Sequence, residues 1–306
     1  MVPNLAIVTN GDSFPYTIDQ KAPDSFTYYH FQVANVSAVI GYVTCTVVDV
    51  LRNLPEWLVD DATHAIWLMN GSDIRQRSVL MEQAVFAIQD RGRFDILAQW
   101  RNETFPIYGP KKEILFHLER SACPLFGVVT YGVHALAYVP PQSEDDELKV
   151  WVSRRAKTKQ TYGGMLDSTS AGGMTSGESP LETLVKECEQ EASLTSEMVL
   201  KHTKASGVVT HFYVHDGRPG GEIKLLQPEC QYVYDLPLPP HVCCKKNDDE
   251  VDEFLLWNTT EIRQRIASGE FKPNSARVML NFLIRHGVVS PENEENYLEI
   301  VSRLHR

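Results

Sequence analysis

AGGMTSGESPLETLVKECEQEASL, residues 171–194, contains a strongly marked helix start. Ser179 stands at the N-cap, Pro180 at the first helical position and Glu182 at the third, which is a capping box with the favoured proline. Leu181, Leu184, Val185, Cys188 and Ala192 follow at helical spacing, so this stripe is expected to face a core. At about 100° per residue, Glu187 and Glu191 stack one turn apart on one flank of the stripe. Gln190 falls beside Glu187 on the outer side, and Glu189 points to the opposite flank. Two carboxylates at i, i+4 repel each other on an isolated helix. A hard cation with oxygen ligands offsets that repulsion, and a solvated acidic flank is the competing reading. Ahead of the helix, Ala171-Gly172-Gly173 and Gly177 let the backbone approach closely and turn carbonyls and amides towards the acidic face. Glu178 is placed to fix this loop to the helix by accepting backbone N–H bonds.

Outward from this segment the texture is strand-rich. TYGVHALAYV and KVWVSRRA read as strands joined across the exposed loop PPQSEDDEL. GVVTHFYVH, EIKLLQ, CQYVYDLPL and DEFLLWN read as further strands, and TTEIRQRIASGE, SARVMLNFLIRHG and PENEENYLEIVSRLHR as helices. Strands flanked by helices predict an α/β class protein built as a layered sandwich. The first third reads as α+β. FQVANVSAVIGYVT gives two short strands, CTVVDVLRNLP a short helix ended by Pro55, and SVLMEQAVFAIQDRG a longer helix ended by Gly92. A boundary near Pro124 is expected, with a smaller α+β domain over 1–124 and a second domain over 125–306.

The 306 residues are 43% hydrophobic and 23% charged, enough for two cores. A net charge of -11 argues against a nucleic-acid partner, which needs clustered cations to replace counterions. No apolar run has the roughly 18 to 20 residues of a membrane span, and the start carries neither a signal-peptide nor a transit-peptide pattern. The six cysteines show no C-x-x-C spacing and read as free thiols of a reducing compartment, so a cytoplasmic location is expected.

The spacing Gly172-x5-Glu178-x7-Lys186-Glu187-Cys188-x-Gln190-Glu191-x-Ser193-Leu194 resembles the Nudix box, G-x5-E-x7-R-E-U-x-E-E-x-G-U with U aliphatic. Lys186 stands for the arginine, Ser193 for the glycine and Gln190 for the first acid of the paired glutamates. The last change removes one negative charge from the metal cluster, and Glu189, about 100° away, does not replace it. RRAKTKQTYGGMLDSTSAGG, FQVANVSAVIGYV, WRNETFPIY, ERSACPLFGVVTYGVHALAYV, QYVYDLPLP and DDEVDEFLLW further resemble the Nudix domain attached to fungal thiamine pyrophosphokinases, with its N-terminal accessory domain. The resemblance covers residues 25–306 and leaves no room for the kinase portion.

This resemblance implies a Nudix α/β/α sandwich with a mixed sheet. It also implies hydrolysis of a small-molecule diphosphate with Mg2+ or Mn2+, by a monomer or homodimer. The implied substrates are thiamine diphosphate and its oxidised or oxo analogues, cut to the monophosphate. Glu187 and Glu191 are the implied metal ligands, with Gln190 and the Ala171 or Gly172 carbonyl completing the shell. In Nudix enzymes a distant acid often adds a ligand or the base, and Glu250 is the preferred candidate over Glu253. Lys186 takes the loop-structuring role of the box arginine, alongside Glu178.

Arg154, Arg155, Lys157 and Lys159 form the densest basic cluster, and strand alternation puts Arg155, Lys157 and Lys159 on one face, able to hold a diphosphate or simply to be solvated. Asp167 is placed to orient this loop or to serve as an ordinary turn residue. Tyr162, Trp151 and Trp100 are candidates to stack a flat heteroaromatic ring, each weighed against a core position. His211 and His215 share a strand face without a third ligand, so no zinc site is expected. Two rival functions remain. Isopentenyl-diphosphate isomerase shares the fold but uses a Cys-Cys-Ser-His context that Cys243-Cys244-Lys245 does not reproduce. A catalytically silent Nudix module that binds a diphosphate is favoured by Gln190.

Overall fold

The computed structural model describes residues 2–14, 28–214 and 224–306. Helix α1 (Asn4–Gly11) precedes a mixed four-stranded sheet made of β1 (Tyr28–Val33), β2 (Gly41–Thr44), β3 (Trp57–Asp60) and β4 (Ala65–Leu68), in the order β2-β1-β4-β3. Helices α2 (Cys45–Leu51) and α3 (Ile74–Gln89) close a core in which Phe31, Val43, Val48, Leu51, Ile66, Leu68, Met81 and Ile88 are fully buried. A hairpin, β5 (Thr104–Tyr108) and β6 (Ile114–Glu119), adds Phe116 to this core, and the short helix α4 (Cys123–Phe126) adds Phe126. The two strands expected in FQVANVSAVIGYVT and the helices expected after them all form. The longer helix starts at Ile74, where Asp73 caps it by accepting from Gln76 N.

The second sheet is built on β7 (Thr130–Val139), which pairs antiparallel with β8 (Lys149–Arg155) only at Tyr138 and Val139. From there the two strands part. Strand β9 (Leu166–Asp167) pairs with the far end of β8, and β10 (Ser170–Gly173) pairs with the near end of β7. The sheet therefore forks between β7 and β8. Helices α5 (Pro180–Ala192) and α6 (Ser196–His202) follow, then β11 (Lys204–Val214), β12 (Leu226–Pro237) and β13 (Val251–Asn258). β12 runs parallel to β7 and β13 antiparallel to β8, so the sheet is mixed. Helices α7 (Thr259–Ala267), α8 (Pro273–Arg285) and α9 (Tyr297–Leu304) complete the chain. Leu184, Cys188 and Ala192 of α5 pack on one face of the sheet against Val133 and Ala135. Val278, Met279 and Phe282 of α8 pack on the other, against Leu136 and Val152. This is an α/β/α sandwich preceded by an α+β region.

Some expectations need correction. Leu181 is 40% exposed rather than part of the buried stripe. It sits in the first turn of α5, and the buried apolar positions begin only at Leu184. The last helix begins at Tyr297 instead of near Pro291, because the preceding stretch is held in turns by Asn293 and Glu294. His215 and the first two residues of EIKLLQ lie outside the described residues. Helix α1 packs on the second core, not the first: Ile7 and Val8 join Val278 and Phe282. Arg277 of α8, fully buried, ties them together by donating to the carbonyls of Val8, Thr210 (2.6 Å) and Arg303 (2.8 Å). A buried guanidinium needs such acceptors, and α1 supplies one of them.

Candidate active site

Local chemistry positions the site helix. Ser179 Oγ accepts from Glu182 N (3.3 Å), and Glu182 Oε2 accepts from Ser179 N (2.9 Å), so the capping box is complete. Ser193 ends the helix in the left-handed region, φ 55°, and Leu194 N donates to Cys188 O at 3.1 Å. That conformation is why the family pattern has glycine there. Glu178 does hold the loop to the helix, but through side chains rather than backbone. It accepts from Thr183 Oγ1 (3.0 Å) and Lys186 Nζ (2.9 Å). Glu189, turned away as expected, accepts from Ser196 N at the start of α6 (2.8 Å).

Glu191 is 8% exposed and accepts from Ser170 Oγ (2.6 Å) and Ala171 N (3.0 Å), both on β10. Glu187 lies one turn earlier, against Gly172. A Cβ on Gly172 would stand 2.2 Å from Glu187 Cδ, so only glycine permits this approach. Burial pushes Glu191 up to about 8, and the charge of Glu187 adds to it. Burial pushes Glu187 up to about 7, Lys186 opposing and Glu250 adding. Two adjacent carboxylates with raised pKa values, one half-buried and one buried, are a site where a cation lowers the free energy. Their hard oxygens fit Mg2+ or Mn2+. Among the described residues no three His, Cys, Asp or Glu converge. The remaining donors would be the Gln190 amide oxygen and the Ala171 or Gly172 carbonyl.

Glu187, Gln190, Ala171 and Gly172 line a cleft of about 740 Å3 between the two halves of the chain, which Glu191 does not border. Ala171, Gly172, Glu187, Gln190, Lys186, Lys159, Arg155 and Glu250 all border it. Glu250 is ion-paired with Lys159, and this pairing overcomes burial to hold its carboxyl below the usual range. Glu253 pairs instead with Arg154 (2.7 Å). Arg155 is committed to structure: it donates to Asp167 Oδ2 (2.9 Å) and Thr161 O (3.1 Å). Burial would raise the Asp167 carboxyl, but Lys272 at 3.9 Å, Arg155 and the Ser275 hydroxyl hold it well below its usual range. Asp167 thus joins β9 to α8.

Lys157 is exposed and does not border the cleft, and neither does Tyr162, a half-buried turn residue with φ 54°. Trp100 stacks on Phe86 in a separate groove, ring centroids 5.4 Å apart, and Trp151 packs against the α5 core. His211 is buried, and burial pushes its pKa well down. Cys243 and Cys244 border no part of the cleft.

Sequence reasoning missed the cations that other elements bring in. Arg101 and Arg120 arrive from the N-terminal half, and Lys272 from the start of α8. No local spacing marks them. The N-terminal half also grips the glycine loop itself. His117 Nδ1 and Ser176 Oγ are hydrogen-bonded at 2.6 Å, and Ser176 N donates to Thr104 O at 3.1 Å.

A family model of the NUDIX domain matches residues 133–279, and one described as a domain of unknown function (DUF4743) matches 17–130. Residues 133–279 are thus a Nudix domain, and Nudix hydrolases generally use divalent metal ions. It is 37% identical over 253 residues to the uncharacterized protein YJR142W of Saccharomyces cerevisiae, covering 81% of this chain and 73% of that one. Nudix hydrolases 20 and 24, chloroplastic, of Arabidopsis thaliana are each 33% identical, over 74% and 70% of this chain. The chain spans only 58% and 56% of the length of these two plant relatives. No helix among the described residues is long and apolar enough to cross a membrane.

Proposed function

We propose that the chain hydrolyses thiamine diphosphate, or its oxidised analogues oxythiamine and oxothiamine diphosphate, to the monophosphate and phosphate, with Mg2+ or Mn2+. The observation that carries the hydrolytic reading is the pair Glu187 and Glu191 on α5: Glu187 is half-buried, lies against Gly172 and borders a polar cleft, and Glu191 is buried and bonded to β10. The thiamine reading rests on the resemblance to the Nudix domain of fungal thiamine pyrophosphokinases, which runs through both halves of the chain.

Glu187 and Glu191 would hold the cation, with Gln190 and the Ala171 or Gly172 carbonyl. The chemistry supplied by a bound cation is neutralisation of diphosphate charge and a lower pKa for an attacking water. Ser170 Oγ–H and Ala171 N–H fix Glu191, the ladder to β7 fixes the strand carrying those carbonyls, and the Lys186–Glu178 pair fixes the loop that follows it. Lys159 borders the cleft paired with Glu250, and Glu250 would be the group that takes the proton of the attacking water. Water oxygen bonds to the terminal phosphorus, the bond to the bridging oxygen breaks, and the monophosphate leaves with that oxygen.

Phosphate release from thiamine, oxythiamine and oxothiamine diphosphates, each with Mg2+ and with Mn2+, tests this reading. Glu191→Gln is expected to abolish turnover, while turnover of none of the three by the intact protein rejects the substrate. A second reading is a binding module without turnover. It is favoured by Gln190, which borders the cleft where the family pattern has an acid. Tight binding of these diphosphates with no phosphate release identifies that case.

A further inference from the structure

The cations nearest the site in sequence are engaged by their own neighbours. Arg155 serves Asp167, Lys159 serves Glu250 and Arg154 serves Glu253. Across the cleft stand two arginines of the DUF4743 region. The Arg120 guanidinium carbon lies 5.4 Å from the centre of the Phe105 ring and 3.7 Å from where a Cβ on Gly173 would sit, directly over the glycine loop. Arg120 Nη1 donates to Glu103 Oε2 at 2.8 Å, which orients the group and leaves most of its five donors for other acceptors. Arg101 Nη2 reaches over to Gln160 Oε1 (2.8 Å), in the loop after β8. Arg101 is an exposed residue, yet partial desolvation and the charge of Arg120 together hold its guanidinium below the usual range.

The cleft therefore has a half-buried carboxylate, Glu187, backed by the buried Glu191 on one wall, and two mutually repelling guanidinium groups on the other. The first arrangement is relieved by a cation and the second by an anion. Guanidinium forks match phosphate oxygens in pairs, which a lysine does not.

We infer that the DUF4743 region forms the anion-binding wall of the active site, Arg120 and Arg101 taking the non-bridging oxygens of the substrate's diphosphate. This requires the cleft to be a diphosphate site but not that the substrate contain thiamine. The domain then acts on the chemistry of its neighbour rather than beside it.

The test is equilibrium binding of inorganic pyrophosphate to the full chain in EDTA, where no turnover occurs and no thiamine is present. Each charge-assisted hydrogen bond lost is expected to weaken binding about ten- to a hundredfold. Arg120→Ala and Arg101→Ala should each show this loss, and Arg120→Lys part of it. Arg75→Ala, an exposed arginine on α3 away from the cleft, should bind as the parent does. If Arg120→Ala fails to fold, Arg101→Ala and Arg120→Lys decide. Folded cleft variants that bind within about twofold of the parent would overturn the inference. So would an equal loss in Arg75→Ala, or a parent protein that does not bind pyrophosphate. Failure of the thiamine assays with pyrophosphate binding lost in Arg120→Ala would remove the substrate and keep the wall.

Discussion

One added methyl group at Gly172 probes the contact between β10 and the site helix. A Cβ there would meet Glu187 Cδ and Oε1 at 2.2 Å, whereas ordinary van der Waals contact begins at 3.4 Å. Either the Glu187 carboxylate or strand β10 must therefore move by about 1.2 Å. The strand is held on both sides, by its ladder to β7 and by the bonds from Ser170 and Ala171 to Glu191. The carboxylate is the softer partner and is expected to yield. A misplacement of about 1 Å at a reacting centre costs on the order of a hundredfold in rate, or about 2.7 kcal/mol. Gly172→Ala should therefore lower kcat/KM for metal-dependent phosphate release about a hundredfold, while the thermal melt shows a folded protein. Turnover within about twofold of the parent, with the melt unchanged, would refute the idea that Glu187 must sit against the backbone to work.

Asp167→Asn should destabilise the fold by about 3 kcal/mol, because Arg155 and Lys272 keep their charges in a buried setting without a counter-charge; thermal melts read this directly, and an unchanged Tm refutes it. The same group predicts a pH dependence. Its folded pKa lies below the unfolded value of about 3.9, so its stabilisation is present above that pH and is lost as acid protonates it. The parent should lose stability between about pH 5 and pH 3 more steeply than Asp167→Asn. Ser193→Gly relieves a left-handed residue at the end of α5 and should add about 1 kcal/mol, raising Tm by about 2 °C; a lowered Tm would contradict the strain.

The capping box of Ser179 and Glu182, the pairing of Glu187 with Glu191 and the outward turn of Glu189 were all legible, because each depends on residues within one or two helical turns. The strands of β7 and β8 were legible for a similar reason, an alternating pattern closed by an acidic, proline-rich loop. Periodicity gives the angle of a residue around a helix but not where along the axis the helix meets its sheet, which is why Leu181 was misread. The basic cluster shows a different failure. Charge on one strand face says nothing of what approaches that face, and Asp167 and Thr161 take up Arg155. Arg101, Arg120 and Lys272 enter from elements far away in sequence, and only the folded chain brings them to the glycine loop.

Helix α1 gives the catalytic half a discontinuous sequence. It seals the layer of α8 and α9 with Ile7 and Val8, and its Val8 carbonyl satisfies part of Arg277. Residues 28–126, with their own core, are in effect an insert between the first helix and the strand that begins at Thr130. A fragment cut near Pro124 to isolate the hydrolase would lose that seal and leave a buried guanidinium short of an acceptor. A shortened protein that keeps α1 and bridges it directly to β7 would retain both.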